Sequence, residues 1–482
     1  MSDYLRIGSH PGSTHVALAT RKFVINTQIL RARQPGSALV PTIAIAVPLL
    51  LIAPAIWNGY PLLQFDTGGY LARWYEGYLV PSRSTVFGLY LHFGQGSYFW
   101  INLGIQALAT LWIVQLTLKV FGIRTPLRIT GISLALIMTT ALPWLASMLL
   151  TDIFAGLAIL SLFLLVLHAE KISPIENWLL FAFTSFAAAT HSATLGVLLG
   201  LCCAGWMVRP WLAAHIPAIG LVRGSLTIVA GAAMLLTANF ALSGQFAWTP
   251  GGSGVVFGRM LQDGIVARYL NDHCPTMKLK LCPYRNELPA TADAFLWGNG
   301  MFNTLGRFKG MNDEMGFIAL HSLAEYPAWQ AEAALAATAQ QLIHVATGEG
   351  TTAWLGHTYG IIERYLPAQI TPMRAARQQH WGRDANFDAI NRVHVPVALG
   401  SMLALLGIVG HGFWRRRLDD VTLLAAAVSL SLLGNAFICG VISGPHDRYG
   451  ARLVWIATFA MLIAALKHFA DDGEPAGASF LA

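Results

Sequence analysis

Runs of about twenty apolar residues recur along this chain of 482 residues, and they dictate most of what it can become. An α-helix rises about 1.5 Å per residue, so roughly 20 such residues cross the ~30 Å hydrocarbon core of a bilayer. Candidate spans fall near 38–57, 98–118, 129–150, 153–169, 177–190, 193–208, 223–243, 393–413, 421–442 and 452–468. Only 11% of the residues are charged, against roughly a quarter in a soluble domain. A backbone in lipid must satisfy its own hydrogen bonds, which favours helices over open strands. The expected fold class is an all-α polytopic membrane protein with about ten transmembrane helices.

The net charge of +7 does not point to nucleic acid, because the basic residues sit in short loops between apolar runs. Lys119, Arg124 and Arg128, then Lys171, then Arg209 and Arg223, then Arg415 to Arg417 fall on one side. That is the bias expected of cytoplasmic loops. Residues 1–37 carry Arg6, Arg21, Lys22, Arg31 and Arg33 with no apolar core, so a cytoplasmic lead-in is expected rather than a cleavable signal peptide. Whether Val16 to Leu30 forms an interfacial helix or part of a disordered tail stays open. Both termini, including the tail 469–482, are expected in the cytoplasm.

The opposite face receives the loop 58–97, the turns at Thr151–Asp152 and His191–Ser192, a long segment 244–392, and "SGPHDRYGAR" (443–452). Ordinary polarity over 244–392 predicts a mostly helical extracytoplasmic domain. It divides an N-terminal transmembrane module, 38–243, from the C-terminal transmembrane helices, 393–468. Cys274 and Cys282, in "HCPTMKLKLCPY", are expected to form a disulfide in an oxidising compartment. Cys202, Cys203 and Cys439 lie in apolar spans and read as core residues. No CxxC or His/Cys spacing suggests structural zinc.

Ionisable side chains at membrane level are costly and point to function. Asp66 follows the first span in "FDTGGY", and Asp152 opens the fourth in "LLTDIFAGLAIL". His191 lies in "ATHSATLG", and Arg448 and Arg452 lie in "HDRYGARLVW". Each has a plainer explanation. Asp66 suits a turn before Gly68 and Gly69. Asp152 suits a helix cap, His191 an interfacial hydrogen bond, and Arg448 a snorkelling contact with headgroups. Their joint placement on one face is better matched to an anionic, lipid-linked substrate.

The aspartate after span one and the second at the mouth of spans three and four resemble the GT-C superfamily of membrane glycosyltransferases. The branch containing aminoarabinose transferases and protein O-mannosyltransferases is the most similar. The resemblance covers the order of spans one to four and extends loosely to the late arginine turn. It implies a polyprenyl-phosphate sugar donor, a lipid, glycan or protein acceptor, and chemistry on the extracytoplasmic face. It also implies that Asp66 is the general base or a metal ligand and Asp152 the second acidic residue, with Mg or Mn as the candidate divalent cation. Two departures stand out: "THSATLG" replaces the lysine some members carry, and the first loop has one aspartate rather than an Asp-Glu pair.

The chemistry fits independently. An acceptor hydroxyl needs a base, and a desolvated Asp66 is expected to have raised proton affinity. A phosphate leaving group needs cations, which Arg448 and Arg452 supply as bidentate forks. Arg73 and Arg83, in "ARWYEGYLVPSRS", are reserves for that task. Tyr70, Trp74 and Tyr75 could stack on a sugar or anchor the loop at the interface. The stretch "TPGGSGVVFGRM" (249–260) is either a phosphate cradle or an entry into the outer domain. A transporter or flippase using Asp66, Asp152 and His191 as an ion pathway is the alternative, though no duplicated half is visible. A bacterial inner membrane, with the site periplasmic, is the expected location.

Overall fold

The computed structural model describes residues 46–249, 251–274, 276–353, 355–380 and 387–471. The basic lead-in, the start of the first span and most of the C-terminal tail lie outside them. Among the described residues the chain is helical throughout, with no strand and one isolated parallel bridge between Leu62 and Met148. Six helices are long and apolar enough to cross a bilayer: Trp100–Val120, Ser192–Leu212, Ala218–Ser243, Phe387–Trp414, Asp420–Ile442 and Asp447–Phe469. The protein is therefore membrane-embedded. Three further helices that match expected spans, Pro126–Thr139, Asp152–Leu167 and Pro174–Thr190, have 14, 16 and 17 residues, about 21 to 26 Å of rise.

One expectation about the spans changes, and one that could have been a single bent segment resolves into two helices. The run 129–150 is not one helix: it stops at Thr139, and Pro143 starts a separate short turn, Leu142–Ala146. Proline cannot donate an N–H and clashes with the preceding turn, so the break is local chemistry. The segments 177–190 and 193–208 are two distinct helices that meet at His191, whose backbone is extended. The first of them is nucleated by a reciprocal box in which the Ser173 hydroxyl accepts from the Glu176 N–H and the Glu176 carboxylate accepts from the Ser173 N–H.

The Asp152–Leu167 helix is the axis of the bundle, with every residue from Asp152 to Leu165 buried. Helices 100–120, 174–190, 218–243 and 447–471 surround it. Small residues let them approach. A side chain at Gly220 would place its Cβ 1.9 Å from the Val166 carbonyl oxygen, and one at Gly156 would sit 2.7 Å from the Trp455 indole nitrogen. Without a hydrophobic drive between helices in lipid, such close contact is a principal source of association.

The long segment 244–392 is not a single domain. Helices between Gly252 and Glu325 enclose a core of their own around Phe257, Tyr269, Phe295, Phe302 and Met311, with Cys274 and Cys282 joined by a disulfide. The next helix, Pro327–Ile343, instead packs along Asp420–Ile442, and Gly356–Tyr365 packs on Thr67–Glu76. The glycines of "TPGGSGVVFGRM" serve this packing: Gly251 has a left-handed backbone, and Gly251 and Gly254 lie against Phe308.

Gly156→Ala is expected to cost about 1–3 kcal/mol through overpacking against Trp455. A lowered thermal midpoint in detergent, with a smaller shift for Gly434→Ala, which meets nothing within 4 Å, checks this.

Candidate functional site

The break after Thr139 brings the two aspartates together. Residues 140–151 return as an irregular segment, and Leu62 pairs with it: the Leu62 N–H donates to Ser147 O at 2.9 Å and the Leu149 N–H to Leu62 O at 3.0 Å. Five residues later the Thr67 hydroxyl donates to Leu149 O at 3.0 Å. The "LLQFDT" and "MLLTD" stretches are thus zipped side by side. Asp66 is left at the start of one helix and Asp152 at the start of another.

Neither carboxylate caps its helix. Both turn instead to arginines from distant parts of the chain. Arg448 donates from Nη1 to Asp66 Oδ2 at 2.5 Å and from Nε to Asp152 Oδ2 at 2.8 Å. The other Asp66 oxygen, Oδ1, accepts from Arg83. Arg452 Nη1 lies 3.9 Å from Asp152 Oδ1, an oxygen with no hydrogen-bond partner in the fold. Three guanidiniums therefore face two carboxylates, and one cation is in excess. The cluster grades from a rim to a buried floor: the side chains of Arg83 and Asp66 are 17% and 11% exposed, those of Asp152 and Arg452 2% and 1%.

The electrostatics correct the expected chemistry of Asp66. Burial does push its carboxyl upward, but the Arg83 and Arg448 guanidiniums outweigh burial and hold it below the usual carboxylate value. As it stands, Asp66 is an ionised, arginine-paired group rather than one of raised proton affinity.

Arg452 is held by neutral acceptors, Asn435 Oδ1 at 2.5 and 3.1 Å and His191 Nδ1 at 3.3 Å, with the Cys439 sulfur at 3.4 Å. His191 thus joins the cluster through Arg452. Arg73 does not. Its fork donates to the Thr85 hydroxyl, Asn239 Oδ1 and Val80 O, tying the first loop to the Ala218–Ser243 helix. Tyr70 is also removed from ligand contact, because its ring is buried edge-on against Phe87 with the Arg83 guanidinium over it. Tyr75 stacks on Tyr365 and Trp74 on His92, so these rings hold the loop to its neighbours. Gly68 is a packing glycine: a Cβ there would sit 2.6 Å from the Thr358 backbone.

The donor set does not suit a divalent cation. Asp66 has both oxygens engaged by arginine and Asp152 has one. Among the described residues no three His, Cys, Asp or Glu side chains converge as a metal site. A cation would have to displace guanidiniums that already neutralise the carboxylates.

Glu349 is the residue that sequence reasoning missed. Its carboxylate accepts from the Arg448 backbone N–H at 2.8 Å and contacts His446 Nδ1 at 2.7 Å. Nearby, Asp447 Oδ1 accepts from the Ala346 N–H, and Gln341 bonds His446 through both its N–H and its C=O. The segment 341–349 therefore fixes where Arg448 begins and which way it points. A signal existed: Glu349, between two glycines in "ATGEGTT", is the single Asp, Glu, Lys or Arg between Glu332 and Glu363.

The Glu349 pair predicts a pH dependence. The hydrogen bond that His446 makes to the Glu349 carboxylate raises His446 above its ordinary 6.5. Burial raises Glu349, yet His446 and the Arg448 N–H bring it below its ordinary 4.5. The His446 contribution to stability is complete below pH 6.5 and is lost as pH rises through its raised value. The Glu349 contribution is present above 4.5 and is lost as pH falls through its lowered value. Thermal midpoints measured from pH 5.5 to 9 should fall on the alkaline side in the wild type. In Glu349→Gln that alkaline fall should be much smaller.

No family model, no curated protein and no solved structure matches the chain.

Proposed function

We propose that this protein is a membrane glycosyltransferase that moves a sugar from a polyprenyl-phosphate donor to a lipid, glycan or protein acceptor on the extracytoplasmic face. One observation carries the reading: Arg448 bridges Asp66 and Asp152 within a cluster holding an excess cation, at the ends of apolar helices. Such a cluster suits an anion attached to a lipid. In this reading about ten segments cross the membrane, with the termini cytoplasmic and the core between Gly252 and Glu325 periplasmic, in a bacterial inner membrane. The positive-inside distribution of the basic loops and the Cys274–Cys282 disulfide support that orientation.

The donor phosphate takes up Arg83, Arg448 and Arg452, whose forks stabilise charge developing on the leaving oxygen. Drawing Arg83 and Arg448 away from Asp66 removes what holds its carboxyl down, so donor binding itself raises the proton affinity of the base. The acceptor oxygen then attacks the anomeric carbon and forms the new C–O bond while its proton passes to Asp66. The bond from that carbon to the phosphate oxygen breaks, and the phosphate departs with the electron pair. Attack opposite the leaving group inverts the anomeric centre. Asp152 keeps Arg448 oriented throughout, and no step requires a metal ion.

The test is a glycolipid and glycan mass profile of cells lacking the protein, complemented with wild type, Asp66→Asn or Arg448→Lys. A sugar-sized mass should vanish in the deletion and return with wild type. With well-expressed Asp66→Asn the transfer rate should fall by roughly 10²–10⁴-fold. With Arg448→Lys, which keeps the charge and loses the fork, it should fall by about 10²–10³-fold. Full restoration by Asp66→Asn would overturn the assignment and direct attention to transport assays.

A further inference from the structure

The Pro327–Ile343 helix falls in the segment whose polarity suggested a water-exposed domain, yet its surroundings are those of a membrane helix. It packs along Asp420–Ile442, which is long and apolar enough to span a bilayer. The contact is close because Gly440 has no side chain: a Cβ there would lie 2.8 Å from the Ala337 carbonyl oxygen and 3.2 Å from Gln341 Cβ. From that point the helix runs inward. Gln341 and Leu342 line a small cavity with Leu432, Asn435 and Ala436, residues one to two turns before Gly440. His344 O sits where a Cβ of Gly450 would fall, one turn into the Asp447–Asp471 helix. The end of Pro327–Ile343 therefore lies about one to two turns in from the neighbouring ends of two apolar helices.

Apart from the exposed Gln340, its free face is apolar at that depth. Leu335 and Ile343 are 73% and 63% exposed, and Ala336 and Ala339 lie exposed on the same side, at spacings of three and four residues. No Asp, Glu, Lys or Arg occurs from Ala333 to Gly348, and Glu332 marks the last charge above this stretch. On the neighbouring helix Leu433 and Phe437 are likewise about half exposed. An exposed patch of that kind in water is a liability; in hydrocarbon it costs nothing.

We propose that the last two to three turns of this helix, Leu335 to Ile343, are immersed in the bilayer with Leu335, Ala339 and Ile343 facing lipid chains. The segment dips into the membrane rather than crossing it. The Glu332 level marks the water boundary, and the chain leaves through Gly348–Gly350 toward Arg448. This placement does not rest on the transferase reading, since it follows from depth and composition alone.

Spin labels at Leu335→Cys, Ala339→Cys and Ile343→Cys test it, in the full chain with the exposed Cys203 replaced by serine and reconstituted into phosphatidylcholine–phosphatidylglycerol vesicles. Glu332→Cys serves as the aqueous reference and Leu433→Cys as the lipid reference. Oxygen, which partitions into lipid, should relax the labels at 339 and 343 several-fold more relative to a water-soluble nickel chelate than it does at 332. Their ratio should approach that at 433. Nickel accessibility equal to that at 332 would overturn the proposal. So would protection from both reagents at 335, 339 and 343, because that result means protein covers the face. Monodisperse elution of each variant with the disulfide intact establishes that the labelled protein is folded.

Discussion

The guanidinium of Arg448 lies between two carboxylates in a setting where none of the three groups could remain charged alone. Removing an ion from water costs several kcal/mol even after relaxation, and the cost is recovered only by well-formed hydrogen-bonded pairing. Asp152 is almost wholly buried and Asp66 nearly so. Their burial therefore depends on Arg448 reaching both, with Arg83 and Arg452 completing the balance. Everything that positions Arg448 is, indirectly, what permits the aspartates to be there.

That positioning is distributed over the fold. A proline-induced break frees residues 140–151 to pair with the first loop, which sets the separation of the aspartates. The segment 341–349 then grips the backbone around His446 to Arg448 from the far side. Gln64 within the loop, and Thr358 and Gln378 from distant stretches of sequence, bind the loop backbone, each spending a neutral side chain on groups that would otherwise be buried without partners. The charges do the selecting, and neutral hydrogen bonds supply the rigidity.

Much of this was visible in the sequence where a single physical rule dominates. Apolar run length located six helices of spanning length, and the rarity of charge singled out Asp66, Asp152, His191, Arg448 and Arg452, which the fold gathers. Where two rules compete, the reading failed. Hydropathy averaged over 129–150 hid the effect of Pro143 on the backbone. Arg73 and Arg83 are only ten residues apart, and nothing local reveals that one faces Asn239 and the other Asp66. Proton affinity was read from burial alone, whereas two arginines reverse its sign. Glu349 was passed over because its segment was read as part of a polar domain, although its isolation among uncharged residues was a usable clue.

Chain order gives the arginine bridge a further meaning. Asp66 and Asp152 precede Arg448 by 382 and 296 residues. At synthesis rates of roughly 5–20 residues per second, the aspartates wait on the order of tens of seconds for their counter-ion. During that interval Asp66 has only Arg83 from its own loop, and Asp152, whose ionic partners are Arg448 and Arg452, has no counter-ion in the first half of the protein. Protonation, residual water or assisting factors at the insertion machinery must bridge the gap, and the early helices become a settled membrane structure only when the last one arrives.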